Sequence, residues 1–165
     1  MKRMITTAAI AAFYVAAFAD RAEDFIKEHE GFRASVYLCQ AGERAIGYGF
    51  TDPLLISKGT ISRADADKEL NRICVDIRNK LRRDLKVQRL TEREETAVIS
   101  FIYNVGWYNF KCSKMFRLIL HGKRGNLVAN EFKRWIYITH NGRKVKSNGI
   151  EKRRNAEAEM FSRGF

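Results

Sequence analysis

The chain has 165 residues, 45% of them apolar and 30% charged, with a formal net charge of +12. That length suits one domain, or two small lobes sharing a core. One proline, eleven glycines and 12% aromatics exclude a disordered or collagen-like chain, and three scattered cysteines are too few for a disulfide framework or a zinc cluster.

Met1-Lys2-Arg3 precedes sixteen uncharged residues, Met4 to Ala19, ending in Ala17-Phe18-Ala19 and followed by Asp20 and Arg21. A positive start, an apolar centre and a small-x-small end describe an export segment, either a cleaved signal or a weak signal-anchor. Sixteen residues fall short of the roughly 20 of a firm transmembrane helix. Residues 1–19 are therefore expected to carry residues 20–165 across the bacterial cytoplasmic membrane, to an inner-membrane-tethered or periplasmic location.

Asp20-x-x-Glu23 is a capping signature, so a short helix is predicted from about Asp20 to Glu30, stopped by Gly31. Ala34 to Leu38 and Arg44 to Phe50 read as strands joined by a turn at Ala41-Gly42, the one β-rich stretch of the chain. Gly47-Tyr48-Gly49 weakens the second strand and implies close approach of a neighbour or ligand to the backbone. From Ser62 the pattern turns helical: Leu70, Ile73, Cys74, Ile77 and Leu81 recur at helical spacing. Thr91-x-x-Glu94 is a capping box opening a central buried helix. Further helices are expected at Ser113 to His121, Asn126 to Tyr137 and Asn148 to about Ser162, with a turn at Asn141-Gly142. The sum is an α+β arrangement, a small β-containing lobe (20–61) and a larger helical lobe (62–165) with a cleft between them.

The bases cluster. Six lie between Arg78 and Arg89 against Asp84 alone, and six between Arg143 and Arg154 against Glu151 alone. Such charge draws a polyanion, whether nucleic acid, anionic lipid or an acidic wall polymer. No nucleic-acid-binding motif is present, so a specific nucleic-acid partner is not expected. His29, His121 and His140 share no metal spacing, and no metal or organic cofactor is expected. Cys74 falls on an apolar helix face and reads as core, whereas Cys112 precedes a helix cap and reads as exposed.

Glu30 stands out chemically. A carboxylate in the last turn of a helix faces the negative end of the macrodipole. Together with partial desolvation, this favours the protonated form that a general acid needs.

Three blocks near Glu30 carry a resemblance: Glu30-Gly31-Phe32-Arg33, Tyr37-Leu38-Cys39-Gln40-Ala41-Gly42 and Ile46-Gly47-Tyr48-Gly49-Phe50-Thr51. Later come Ser100-Phe101-Ile102-Tyr103-Asn104-Val105-Gly106 with Asn109-Phe110, then Phe132-x-x-Trp135, then Gly149-Ile150-Glu151-Lys152-Arg153-Arg154-x-x-Glu157. In this order they resemble the phage-type lysozymes, the endolysins of glycoside hydrolase family 24, over roughly residues 22 to 163. The resemblance implies a lysozyme-like fold and a muramidase that hydrolyses β-1,4 bonds between N-acetylmuramic acid and N-acetylglucosamine of peptidoglycan, for host-cell lysis.

It further implies that Glu30 protonates the leaving oxygen. The second family position, most often Asp, is Cys39, a Glu-Cys variant in which sulfur assists water; Arg44 is the nearest cation to favour a thiolate. The third, a water-holding Thr, is Ala45, whose methyl group makes no hydrogen bond. Ser35 or Thr51 are replacement hydroxyls, and Glu43 or Asp52 alternative bases. Phe50 stands where the family has His. Arg153 is implied as the partner of Glu30, and Tyr37, Tyr103 and Asn104 as cleft residues that contact sugar. The other expected partner is an anionic wall or membrane surface, approached as a monomer. Two alternatives stand beside the enzyme: an impaired or inactive homologue that binds peptidoglycan, and a basic nucleic-acid- or membrane-binding domain, which leaves the Glu30 to Thr51 segment unexplained.

Overall fold

The computed structural model describes residues 22–39, 42–86, 89–140 and 142–164. The export segment, Asp20, Ala41 and Asn141 lie outside the described residues. The chain opens with helix α1 (residues 22–30), which buries Ala22 and Ile26 completely. It ends where expected because Gly31 takes φ +66°, open to a residue without a Cβ, and returns its N–H to the Lys27 carbonyl at 3.0 Å. Glu30 is thereby fixed as the last helical residue.

An antiparallel hairpin follows, β1 (Arg33–Leu38) and β2 (Arg44–Gly47), with Tyr37 opposite Ala45 and Leu38 opposite Arg44. The second strand is shorter than the run to Phe50 predicted from sequence. Residues 46–50 fold into a tight turn in which Ile46 and Phe50 exchange both backbone hydrogen bonds, at 3.0 and 2.9 Å. Gly47 and Gly49 adopt φ +67° and +89°, which strand backbone does not accommodate. Tyr48, between them, is 2% exposed and donates from its hydroxyl to Asp67.

Helix α2 (Pro53–Ser57), absent from the sequence reading, is capped by the Asp52 carboxylate, with Pro53 in the first turn. Helix α3 (Arg63–Leu85) starts at the Ser62 cap and buries Ala66, Leu70, Cys74, Ile77, Leu81 and Leu85 at the predicted spacing. Helix α4 (Glu92–Val105) carries the expected capping box and buries every residue from Glu94 to Ile102. The following segment forms short helices α5 (Trp107–Cys112) and α6 (Lys114–Leu120).

Helix α7 (Asn126–Phe132) stops five residues before the expected Tyr137. A second antiparallel hairpin takes its place, β3 (Tyr137–His140) and β4 (Arg143–Lys146), so among the described residues β structure occurs in two stretches rather than the one expected. The physical cause is local: Tyr137-Ile138-Thr139 is β-prone, and the asparagine–glycine turn flanked by such residues favours a hairpin. Gly142 has φ +73°. Helix α8 (Asn148–Ser162), capped by Ser147, packs against α4 and α7 and ends at the predicted residue.

The basic runs are not uniform solvated faces. Arg78 is 3% exposed and pairs with Glu95, which also receives Arg82, while Lys80 pairs with Asp76 and Arg83 with Asp84. Of the second run, Arg143, Lys144 and Lys146 lie on exposed β4, but Arg153 and Arg154 are 4% and 1% exposed.

Candidate active site

Glu30 emerges from the end of α1 toward the 46–50 turn and the buried face of α8. One carboxylate oxygen, Oε1, accepts from Nη1 of Arg153. The other, Oε2, lies 3.3 Å from where a Cβ on Gly49 would stand, and the Tyr37 hydroxyl lies 4.0 Å from that same point. The two glycines of Gly47-Tyr48-Gly49 therefore have separate roles. Gly47 makes room for the Phe50 ring, 2.7 Å from its missing Cβ, and Gly49 makes room for the Glu30 carboxylate. The close approach implied by the sequence is that of the acid itself. Phe50, 4% exposed, serves the packing of this turn.

Arg153 is held from all sides. Its Nε donates to Ser100 Oγ (3.2 Å) and Glu157 Oε1 (3.1 Å), and its Nη2 to the Ser100 carbonyl and hydroxyl (both 3.1 Å). Glu157, 0% exposed, accepts from Ser100 Oγ at 2.6 Å and, on its second oxygen, from Arg154 Nη1 at 2.6 Å. Arg154 also donates to the Trp135 carbonyl at 3.1 Å and to Asn104 Oδ1, and its guanidinium lies 4.7 Å from the centroid of the Phe101 ring. Burial lowers the Arg154 pKa from its ordinary value while the Glu157 charge opposes that shift.

The remaining groups respond to this cluster. Burial, then the negative charge of Glu30, raises the pKa of Tyr37 above the ordinary phenol value. The same two causes raise Tyr103 much further, so both hydroxyls keep their protons. Tyr103 donates to the Tyr48 carbonyl at 2.7 Å, which locks the 46–50 turn onto α4. Burial, then the charge of Arg153, lowers the pKa of His29, the residue beside Glu30.

Cys39 follows directly on β1 at the base of the hairpin turn and is half-buried. Its N–H donates to the Glu43 carbonyl at 2.8 Å and its carbonyl accepts from Gly42 at 2.9 Å. Ala45, directly opposite Tyr37, is 1% exposed and offers the site only a buried methyl group. Arg44 pairs with Leu38 rather than with the Tyr37–Ala45 step, on the other side of the ladder. Among the replacement candidates, Asp52 is engaged in capping α2, and Ser35, Glu43 and Thr51 are exposed. All three cysteines are free; burial pushes the Cys74 thiol up to about 12, leaving it an inert core group, while Cys112 is exposed. Among the described residues no group of three His, Cys, Asp or Glu is placed to hold a metal ion.

The structure thus brings together Glu30, Arg153, Tyr37 and Tyr103, joins Asn104 to the cluster through Arg154, and sets Cys39 just past the end of β1, two residues beyond Tyr37. Sequence reasoning quoted Ser100, Arg154 and Glu157 within its motifs and gave them no role. The available signal was the spacing: Glu157 stands four residues after Arg153 and three after Arg154, the two separations at which helical side chains meet.

A family model described as Phage lysozyme matches residues 27–157. The endolysin of Acyrthosiphon pisum secondary endosymbiont phage 1 is 32% identical over 136 residues, covering 82% of this chain and 91% of that protein. Among solved structures, an endolysin from Escherichia coli O157:H7 phage FAHEc1 superposes with a TM-score of 0.72 at 27% identity, covering 86% of this chain and 90% of that one. The muramidase domain of SpmX from Asticaccaulis excentricus gives 0.71 at 26% identity, covering 85% and 93%. The chain belongs to the phage lysozyme family and is a glycoside hydrolase with the lysozyme-like α+β fold.

Proposed function

We propose that this phage lysozyme is an endolysin that hydrolyses the β-1,4 bonds of peptidoglycan between N-acetylmuramic acid and N-acetylglucosamine, with Glu30 as the proton donor. The observation that carries the assignment is the seat of Glu30: one oxygen anchored by a buried arginine, the other over a backbone with no side chain. Glu30 gives its proton to the glycosidic oxygen as the bond to the anomeric carbon breaks. Water adds to that carbon, and its proton is taken by Cys39 reacting as the thiolate, which becomes the thiol. Two groups on opposite walls, with water between them, correspond to inversion of configuration. Tyr37 and Asn104 border the sugar path, and Tyr103 shapes it through the Tyr48 carbonyl. Export through residues 1–19 brings the domain to its substrate, and the exposed bases of β4 favour an anionic wall or membrane surface.

The test is clearing of permeabilised Gram-negative cells by the purified protein. Wild type should lyse them, and Glu30→Gln should lower the rate on the order of 10³-fold while circular dichroism stays unchanged. Undiminished lysis by Glu30→Gln removes Glu30 from the chemistry. An inert wild type made active by Ala45→Thr establishes instead an impaired homologue that binds peptidoglycan.

A further inference from the structure

Glu157 reaches no substrate, yet every bond it makes bears on Glu30. It is 0% exposed and bridges two guanidiniums, Arg153 on Oε1 and Arg154 on Oε2. Of these, Arg153 donates directly to Glu30. A general acid has to carry a proton at the pH of the reaction, and two buried cations beside it oppose that. With Glu157 ionised, the cluster of Arg153, Arg154, Glu157 and Glu30 is neutral when Glu30 is ionised and carries one positive charge when Glu30 is protonated. Without the Glu157 charge those sums become +1 and +2, so a proton on Glu30 would add to a cluster that is already positive.

We propose that Glu157 is a positioning residue for the reaction: it aims Arg153 at Glu30 and offsets the field of the two buried arginines, so that the acid is oriented without being forced to stay ionised. Ser100 completes the device, donating to Glu157 at 2.6 Å while its hydroxyl and carbonyl accept from Arg153. The other titratable groups that act on Glu30 do not supply this counter-charge. His29 on α1 is held toward its neutral form, and Tyr37 on β1 and Tyr103 on α4 keep their protons. Cys39, two residues beyond Tyr37 on the same hairpin, acts on the Tyr37 hydroxyl. The inference rests on the reading of Glu30 as the proton donor.

The sign of the effect separates charge balance from mere structural support. In pH–rate profiles of lysis by the full chain, Glu157→Gln should move the alkaline limb down by on the order of one pH unit. Arg154→Met, which removes a positive charge from the same network, should move it up. The double variant Arg154→Met/Glu157→Gln removes one charge of each sign and should return the limb to the wild-type position, whatever its total rate. Limbs that stay in place in all three variants, or that move the same way in both single variants, overturn the proposal. If Glu157→Gln does not fold, Arg154→Met decides: a limb moved up supports charge balance, and one unmoved or moved down refutes it. Glu30→Gln, assayed in parallel, keeps the two readings distinguishable, since its undiminished activity would refute the role of Glu30 rather than that of Glu157.

Discussion

The helical wall that holds Glu30 and the hairpin wall that carries Cys39 are built on different principles. The acid wall is over-determined: Glu30 closes one helix and is gripped by Arg153 of another, which Ser100 and Glu157 hold in turn across α4 and α8. The hairpin wall has strands of six and four residues, and Cys39 is placed on it by two backbone hydrogen bonds of the turn. The acid must hold a proton in one orientation, which requires fixed charges in a dry setting. In the proposed mechanism the group that assists water works against a mobile molecule, and a half-buried turn suffices for it. Disruption of the first wall should therefore cost stability and rate together, and disruption of the second mainly rate.

The largest effect should come from Arg153→Ala. It strips a buried ion-pair partner from both Glu30 and Glu157, and should cost about 3–5 kcal/mol of stability in chemical denaturation along with nearly all lytic activity. A folded, active Arg153→Ala protein would erase the distinction between the walls. Ala45→Thr adds a methyl and a hydroxyl to a site 1% exposed on the hairpin, and overpacking there should cost about 1–3 kcal/mol, read as a fall in Tm. An unchanged Tm with faster lysis would mean that the hairpin can open to a hydroxyl at this position. Cys39→Ala should lower the lysis rate on the order of 10²-fold while changing stability by less than about 1 kcal/mol. If the rate is unmoved, the second wall has no chemical role at this residue.

The smallest effect concerns pH. The folded protein depresses the His29 pKa below its ordinary value of 6.5, so the neutral imidazole is favoured and the associated stability is present above pH 6.5. That stability is lost as the pH falls through the folded value, because the unfolded chain then binds the extra proton. Replacing His29 with Gln should flatten the dependence of Tm on pH below about 6.5, and coincident slopes would count against a desolvated His29 at the acid wall.

The sequence was most legible where the physics is local. Ser62 and Thr91 announced their helices, Gly31 announced the end of α1, and the apolar spacing from Leu70 to Leu81 matched the buried face of α3. The second hairpin was misread because Asn126 to Tyr137 carries enough helical pattern to hide the β-branched and aromatic run behind it. The acid was visible as a carboxylate at a helix end. The group that balances it was not, because Glu157 looks like any charged residue of a basic helix until α4 is laid against that helix. Burial of three charges in one place is a tertiary fact, with only the i, i+1, i+4 spacing to hint at it.

The second hairpin is pinned at its base. The Ser147 N–H donates to the Ile136 carbonyl at 2.9 Å, so the chain leaves and re-enters the helical lobe at one point. Everything between is a closed excursion, with β4 exposed throughout and Tyr137 and Val145 57% and 45% exposed. The register of α8, and with it the aim of Arg153, is set behind that clasp. The hairpin can therefore be lengthened, recharged or exchanged for a binding loop without retuning the acid, which makes it the natural port through which such an enzyme is fitted to a different surface.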